Sequence, residues 1–175
     1  MDKYFYTDKL QSDRLLTRYL TPADTVVWET FFRDKEAIEF IPNFGLDSEK
    51  ERAQYWINKT LNRYAEKTYG LQVLCNRKTN EFIGQCGLMT QTVDGIKELE
   101  VGYHILKKFW GQGYAPEAAK LFIDFAFQNK LADSIISIIH TGNLKSQRVA
   151  GKNGLKKEKQ TRWNNLDVFI YRIGE

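Results

Sequence analysis

The 175-residue chain is poor in the features that mark several common classes of protein. It has two cysteines, Cys75 and Cys86, each in a strand-like stretch and without partners at metal-ligand spacing. A disulfide framework and a metal site are thereby excluded, and two buried reduced thiols of a cytoplasmic protein are expected. The longest apolar runs reach only strand length, so no membrane span is expected. Residues 1–10, MDKYFYTDKL, are charged and mixed where a secretory signal needs an apolar region. Internal repeats, low-complexity tracts and Ser/Pro-rich linkers are missing as well. The charge excess is small, +4 with a pI near 8.9, whereas nucleic-acid binders usually carry a clustered basic stripe. The basic clusters are Lys107-Lys108 and Lys152 through Lys159 (KNGLKKEK), and solvated surface accounts for most of them. Neither a nucleic acid nor a membrane is expected as a partner.

What is present is apolar material for a core, 42% hydrophobic and 14% aromatic residues, which excludes a disordered chain. The length suits one domain, residues 1–175. Residues 99–127, LEVGYHILKKFWGQGYAPEAAKLFIDFAF, organise the rest. Leu99, Val101, Tyr103 and Ile105 alternate with Glu100, Gly102, His104 and Leu106, the period of a strand. A loop with Lys107, Lys108, Gly111 and Gly113 follows, and a helix opens near Tyr114 with Pro116 in its first turn. Strand, glycine loop and helix make an anion cradle: the first helical N–H groups lack internal partners and carry partial positive charge. A diphosphate suits it. A P-loop would need Lys-Ser/Thr where Tyr114-Ala115 stands, and a dinucleotide fingerprint would need glycine where Pro116 stands. An ordinary strand–turn–helix corner is the bland alternative.

The segment Lys108-Phe109-Trp110-Gly111-Gln112-Gly113-Tyr114-Ala115 resembles the acetyl-CoA loop of the GCN5-related N-acetyltransferases (GNAT), Arg/Gln-x-x-Gly-x-Gly/Ala, with lysine at its first position. Val101-Gly102-Tyr103-His104-Ile105 before it and Pro116-Glu117-Ala118 after it look most like the branch of ribosomal-protein N-terminal acetyltransferases. Residues 143–155, NLKSQRVAGKNGL, resemble the family's Asn-x-x-Ser-x-x-Val…Lys-x-Gly-Phe helix, although Gly151 departs from it. The resemblance implies an α+β (three-layer α/β) acyl-CoA N-acyltransferase fold: a mixed, mostly antiparallel twisted sheet flanked by helices, with splayed central strands.

Along the chain, residues 10–20 read as a first strand, and Thr21 as the N-cap of a helix to about Arg33 that buries Val27, Phe31 and Phe32. Phe40, Ile41 and Phe44, in the connection that follows, are expected to be core rather than pocket wall. A second helix, capped by Asp47 or Ser48, runs to about Ala65. Strands are expected over 69–75, 81–90, 134–140 and 166–173. Gly95 marks the turn into the central strand, Asn143 caps the late helix and Gly154 ends it.

The resemblance implies transfer of an acetyl group from acetyl-CoA, a cosubstrate, to a primary amine by direct attack in a ternary complex, without a metal. The acceptor it suggests is a protein N-terminal amine. A small amine or antibiotic, or a catalytically weak CoA-binding sensor, are the alternatives, and monomer and homodimer both remain open. It implies cofactor contacts at His104, Ile105 and Leu106, whose backbone N–H groups polarise the thioester. Further contacts fall at Lys107, Lys108, Gly111, Gln112, Gly113, Tyr114 and Ala115, and at Asn143, Ser146 and Lys152. Glu100 is the candidate general base, with Glu98 as the alternative and His140 as a proton relay. The family's usual tyrosine acid falls at Ala150, so Ser146 is the expected partner of the sulphur, with Tyr103 and Tyr114 in reserve.

Overall fold

The computed structural model describes residues 4–174. Seven strands form one sheet in the order β1-β2-β3-β4-β5-β7-β6. They are β1 (Leu15–Tyr19), β2 (Tyr69–Asn76), β3 (Phe82–Val93), β4 (Ile96–Ile105), β5 (Ser134–His140), β6 (Lys156–Trp163) and β7 (Leu166–Gly174). Every pairing is antiparallel except β4 with β5, which is parallel and has one register pair, Glu100 with Ile136. A parallel pair held at one point diverges beyond it, so the sheet opens between its two central strands.

Helices α1 (Thr25–Arg33) and α2 (Glu49–Ala65) cover one face, and α3 (Tyr114–Gln128) covers the other. Alternation along β4 explains the split. Leu99, Val101, Tyr103 and Ile105 join Ala118, Ala119 and Phe122 of α3 in one apolar cluster. Glu100, Gly102 and His104 face the other way. Phe122 is fully buried, and truncating it to alanine would cost roughly 3–5 kcal/mol. The short helix α4 (Leu144–Lys152) follows β5.

The helices begin differently. Ser48 Oγ accepts from the Glu51 N–H at 3.1 Å and the Glu51 carboxylate accepts from the Ser48 N–H at 3.1 Å, a reciprocal cap on α2. Asn143 Oδ1 accepts from the Ser146 N–H at 3.1 Å at the start of α4. Helix α3 starts at Gly113, φ +80°, with no side chain on its first N–H groups.

Three expectations need correction. Residues 10–20 are not one strand: Lys9 and Thr17, and Thr17 and Leu10, exchange backbone hydrogen bonds of 2.9 Å, so the chain doubles back before β1. The first helix is a 3-10 turn, Pro22–Asp24, followed by α1, and Trp28 joins Phe31 and Phe32 as its buried residues, with Val27 packed only partly against them. Phe40, Ile41 and Phe44 pack only partly and line an open cleft.

Candidate active site

The opening between β4 and β5 continues into a cleft of about 970 Å³. Its walls are the β4 and β5 ends, the loop into α3, the start of α4, the inner side of α2 and the connection between α1 and α2. Chemistry differs along its length.

At the α3 end the surface is backbone. Gly111 and Gly113 have φ of +74° and +80°, a conformation that costs other residues about 1–2 kcal/mol, and a β-carbon on Gly111 would meet nothing. The bare first turn of α3 presents its N–H groups to this end, a ready site for an anion. Gly111, Gly113, Tyr114 and Ala115 line the cleft, as do His104, Ile105, Asn143, Ser146 and Lys152. Leu106, Lys107, Lys108 and Gln112 do not. Lys107 Nζ is 2.8 Å from Glu36 and 3.6 Å from Asp34, and Lys108 Nζ is 2.7 Å from Glu81. The Leu106 N–H already donates to the Ile83 carbonyl at 3.0 Å. Alternation along the ladder therefore aims the Ile105 N–H away from β3, toward β5. Positive charge comes instead from Arg148 and Lys152 on α4, which line the cleft and have no ion pair among the described residues.

At the middle sits Glu100, 6% exposed. Its carboxyl accepts from Gln91 Nε2 at 2.8 Å and from the Ile138 N–H at 3.4 Å, across the opening between the strands. Burial pushes its pKa up to about 7, against the opposing pull of those hydrogen bonds and of Arg63 and Lys59. Glu98 is spent differently, in a two-pronged ion pair with Arg172 at 2.7 and 3.0 Å. His104 is half-buried, edge-on to Trp56 (4.7 Å) and near Phe31 (5.9 Å), and desolvation pushes its pKa down to about 4. It is a neutral imidazole at physiological pH. His140 stacks on Phe40 at 4.8 Å, and its Nδ1 accepts from the Gly142 N–H at 3.0 Å. In the neutral ring the proton then lies on Nε2.

Between these parts, the Tyr103 hydroxyl lies 2.8 Å from Ser146 Oγ and donates to the Ser146 carbonyl at 3.0 Å. Burial raises the Tyr103 pKa further above its usual value, so the phenol keeps its proton.

The family model described as an acetyltransferase (GNAT) domain matches residues 14–156. The chain belongs to the GNAT acetyltransferase family. A relative from Bacillus subtilis, "Uncharacterized protein YkkB", is 32% identical over 166 residues, covering 93% of this chain and 94% of that one. An acetyltransferase structure from Agrobacterium tumefaciens superposes with a TM-score of 0.81 at 24% identity, covering 100% and 99% of the two chains. RimL, a ribosomal L7/L12 α-N-protein acetyltransferase solved in complex with coenzyme A, superposes with a TM-score of 0.73 at 16% identity, covering 93% and 95%. The open, mostly antiparallel sheet is thus the acyl-CoA N-acyltransferase fold.

In this acetyltransferase Ala150, at the position of the family's usual tyrosine, is 2% exposed and packs into the core under α3. Alanine brings no phenol to this part of the cleft. Tyr103 brings one from the neighbouring strand, beside Ser146. Sequence spacing did not connect those two residues, which lie 43 positions apart. It also missed Gln91, whose signal is only its place across the hairpin from Glu98 in the β3–β4 register.

Proposed function

We propose that this acetyltransferase binds acetyl-CoA in the cleft and passes the acetyl group directly to a primary amine, a protein N-terminal amine being the favoured acceptor. The residues present fit the cosubstrate: the uncapped start of α3, the glycine pair and the cations Arg148 and Lys152 suit its phosphates. Bound there, acetyl-CoA supplies the thioester that the amine attacks. Glu100 takes the proton from the incoming ammonium, and its pKa near 7 matches that task at neutral pH. The Ile105 N–H, turned toward β5, is the backbone donor for the carbonyl oxygen. The Tyr103–Ser146 pair returns a proton to the leaving sulphur.

The buried, desolvated Glu100 carries this reading, because such a carboxyl at the floor of an open cleft has no structural need of a pKa near 7. The acceptor choice is supported by the fold shared with RimL. The test begins with calorimetric titration by acetyl-CoA and by dephospho-CoA. Turnover of N-terminal peptides is then compared with that of small amines, for the wild type and for Glu100→Gln. Saturable binding with turnover that falls in the variant supports the proposal. Binding without turnover of any amine would make the chain a CoA-binding sensor, and no binding at millimolar ligand would overturn the site.

A further inference from the structure

Lys59 and Arg63 stand one turn apart on the inner side of α2 and line the cleft on the side of Glu100, away from the start of α3. They are the cations on the Glu100 side of the cleft. Lys145, which also lines the cleft, meets Glu36, whereas Lys59 and Arg63, like Arg148 and Lys152 at the other end, have no ion pair among the described residues. Arg63 donates to the Thr90 carbonyl at 3.0 Å and to Gln91 Oε1 at 3.2 Å, both neutral acceptors. Glu100 and, more weakly, Glu66 act on Arg63 through space, but neither forms an ion pair with it among the described residues. Lys59 forms no hydrogen bond or ion pair among the described residues. Arg63 is partly buried and Lys59 is exposed, and two like charges one turn apart on a helix repel each other unless an anion joins them.

Glu100 does not fill that role, because its own hydrogen bonds go to Gln91 and Ile138. Gln91 lies between: its oxygen accepts from Arg63 and its nitrogen donates to Glu100 at 2.8 Å. One amide therefore separates a cation from the base, the separation of an acid group and an amine a few bonds apart in one small unit. The phosphates of a CoA in this cleft lie at the other end. From Glu100 to Ile105, five residues along β4, is roughly 16 Å.

We propose that Lys59 and Arg63 form a subsite for a carboxylate that the acceptor carries close to its reacting amine. The inference rests on the proposed function and narrows its acceptor to amino-carboxylates. Two sources share that chemistry, the acidic side chain of an N-terminal Asp or Glu in a peptide and the α-carboxylate of a free amino acid.

The test uses the full chain saturated with CoA, titrated calorimetrically with two matched pairs. One pair is peptide amides beginning Asp-Ala or Asn-Ala; the other is a free amino acid and its amide. The same pairs are run as acceptors with acetyl-CoA. A charge-assisted contact to two cations predicts at least about tenfold tighter binding of the carboxylate member of one pair. That ratio should fall by about tenfold in Lys59→Gln and in Arg63→Gln. The pair that shows the preference identifies the source. Equal binding of carboxylate and amide in both pairs would overturn the subsite, as would a preference untouched by Lys59→Gln, which breaks no internal contact. A binding preference that persists without any acetylation keeps the subsite and removes the proposed reaction, so the two failures read differently.

Discussion

At its α3 end the cleft is made of backbone: a glycine pair with positive φ and a helix start that no side chain caps. At its α2 end it is made of side chains: Glu100 in contact with Gln91, and Gln91 with Arg63. The difference fits what each end would hold under the proposed function. Peptide N–H groups around glycine suit one invariant ligand, a phosphate, and leave little to vary. Charged and aromatic side chains of α2 and the α1–α2 connection make up the α2 end, and under the proposed function acceptor choice falls there. The contrast with α2 and α4 makes the point within one molecule, since both of those helices satisfy their own first N–H groups.

The sharpest way to break the comparison is Glu100→Gln, which should lower kcat by about 10²–10⁴-fold while leaving the Kd for acetyl-CoA within about threefold. In the wild type, kcat/KM should climb with pH and level off above about 7, where the carboxylate is ionised. Stability moves the other way. The folded-state pKa lies above the unfolded one, so the protonated carboxyl's stabilising contribution is whole below about 4.5 and is lost as pH rises through about 7. Thermal melts of wild type and Glu100→Gln across that window should therefore diverge, the wild type losing relative stability toward pH 8.

The next effect in size belongs to the backbone end. Gly113→Val puts a β-branched residue at φ +80° and should raise the Kd for acetyl-CoA by about tenfold or more, read by calorimetry. Smaller still, Tyr103→Phe and Ser146→Ala should each lower kcat by about tenfold. Their combination should cost little more than either alone, because the two hydroxyls share one hydrogen bond. Smallest are Lys107→Gln and Lys108→Gln, whose charges already face Glu36 and Glu81 at the surface. Each should change acetyl-CoA affinity by less than about threefold.

These last residues show where the sequence was legible and where it was not. Local signals read well. Period-2 alternation located β4 and the apolar run 134–140 located β5, while Ser48, Asn143 and Gly154 marked helix ends where they fall. The glycine loop read well too, because positive φ leaves its trace in residue type. What failed was pairing over distance. Lys107 and Lys108 look like cofactor lysines by position, yet Glu36 and Glu81, 71 and 27 residues earlier, take them. Residues 10–20 read as one strand, but residues 9–17 close on themselves through main-chain bonds that composition does not encode. Phe40 reads as core by composition and instead lies on His140 in the cleft wall. Helix α1 was read incompletely: Trp28 is fully buried, while Val27 packs only partly against the same cluster.

The single register pair between β4 and β5 has a mechanical side. Four strands to one side of it and three to the other behave as two plates sharing a short hinge. Glu100 is one leaf of that hinge, and its carboxyl reaches across the seam to the Ile138 N–H. Whatever wedges the plates apart pulls on that contact first. A ligand that wedged the strands apart would thus tension the acidic group through the same pair of strands.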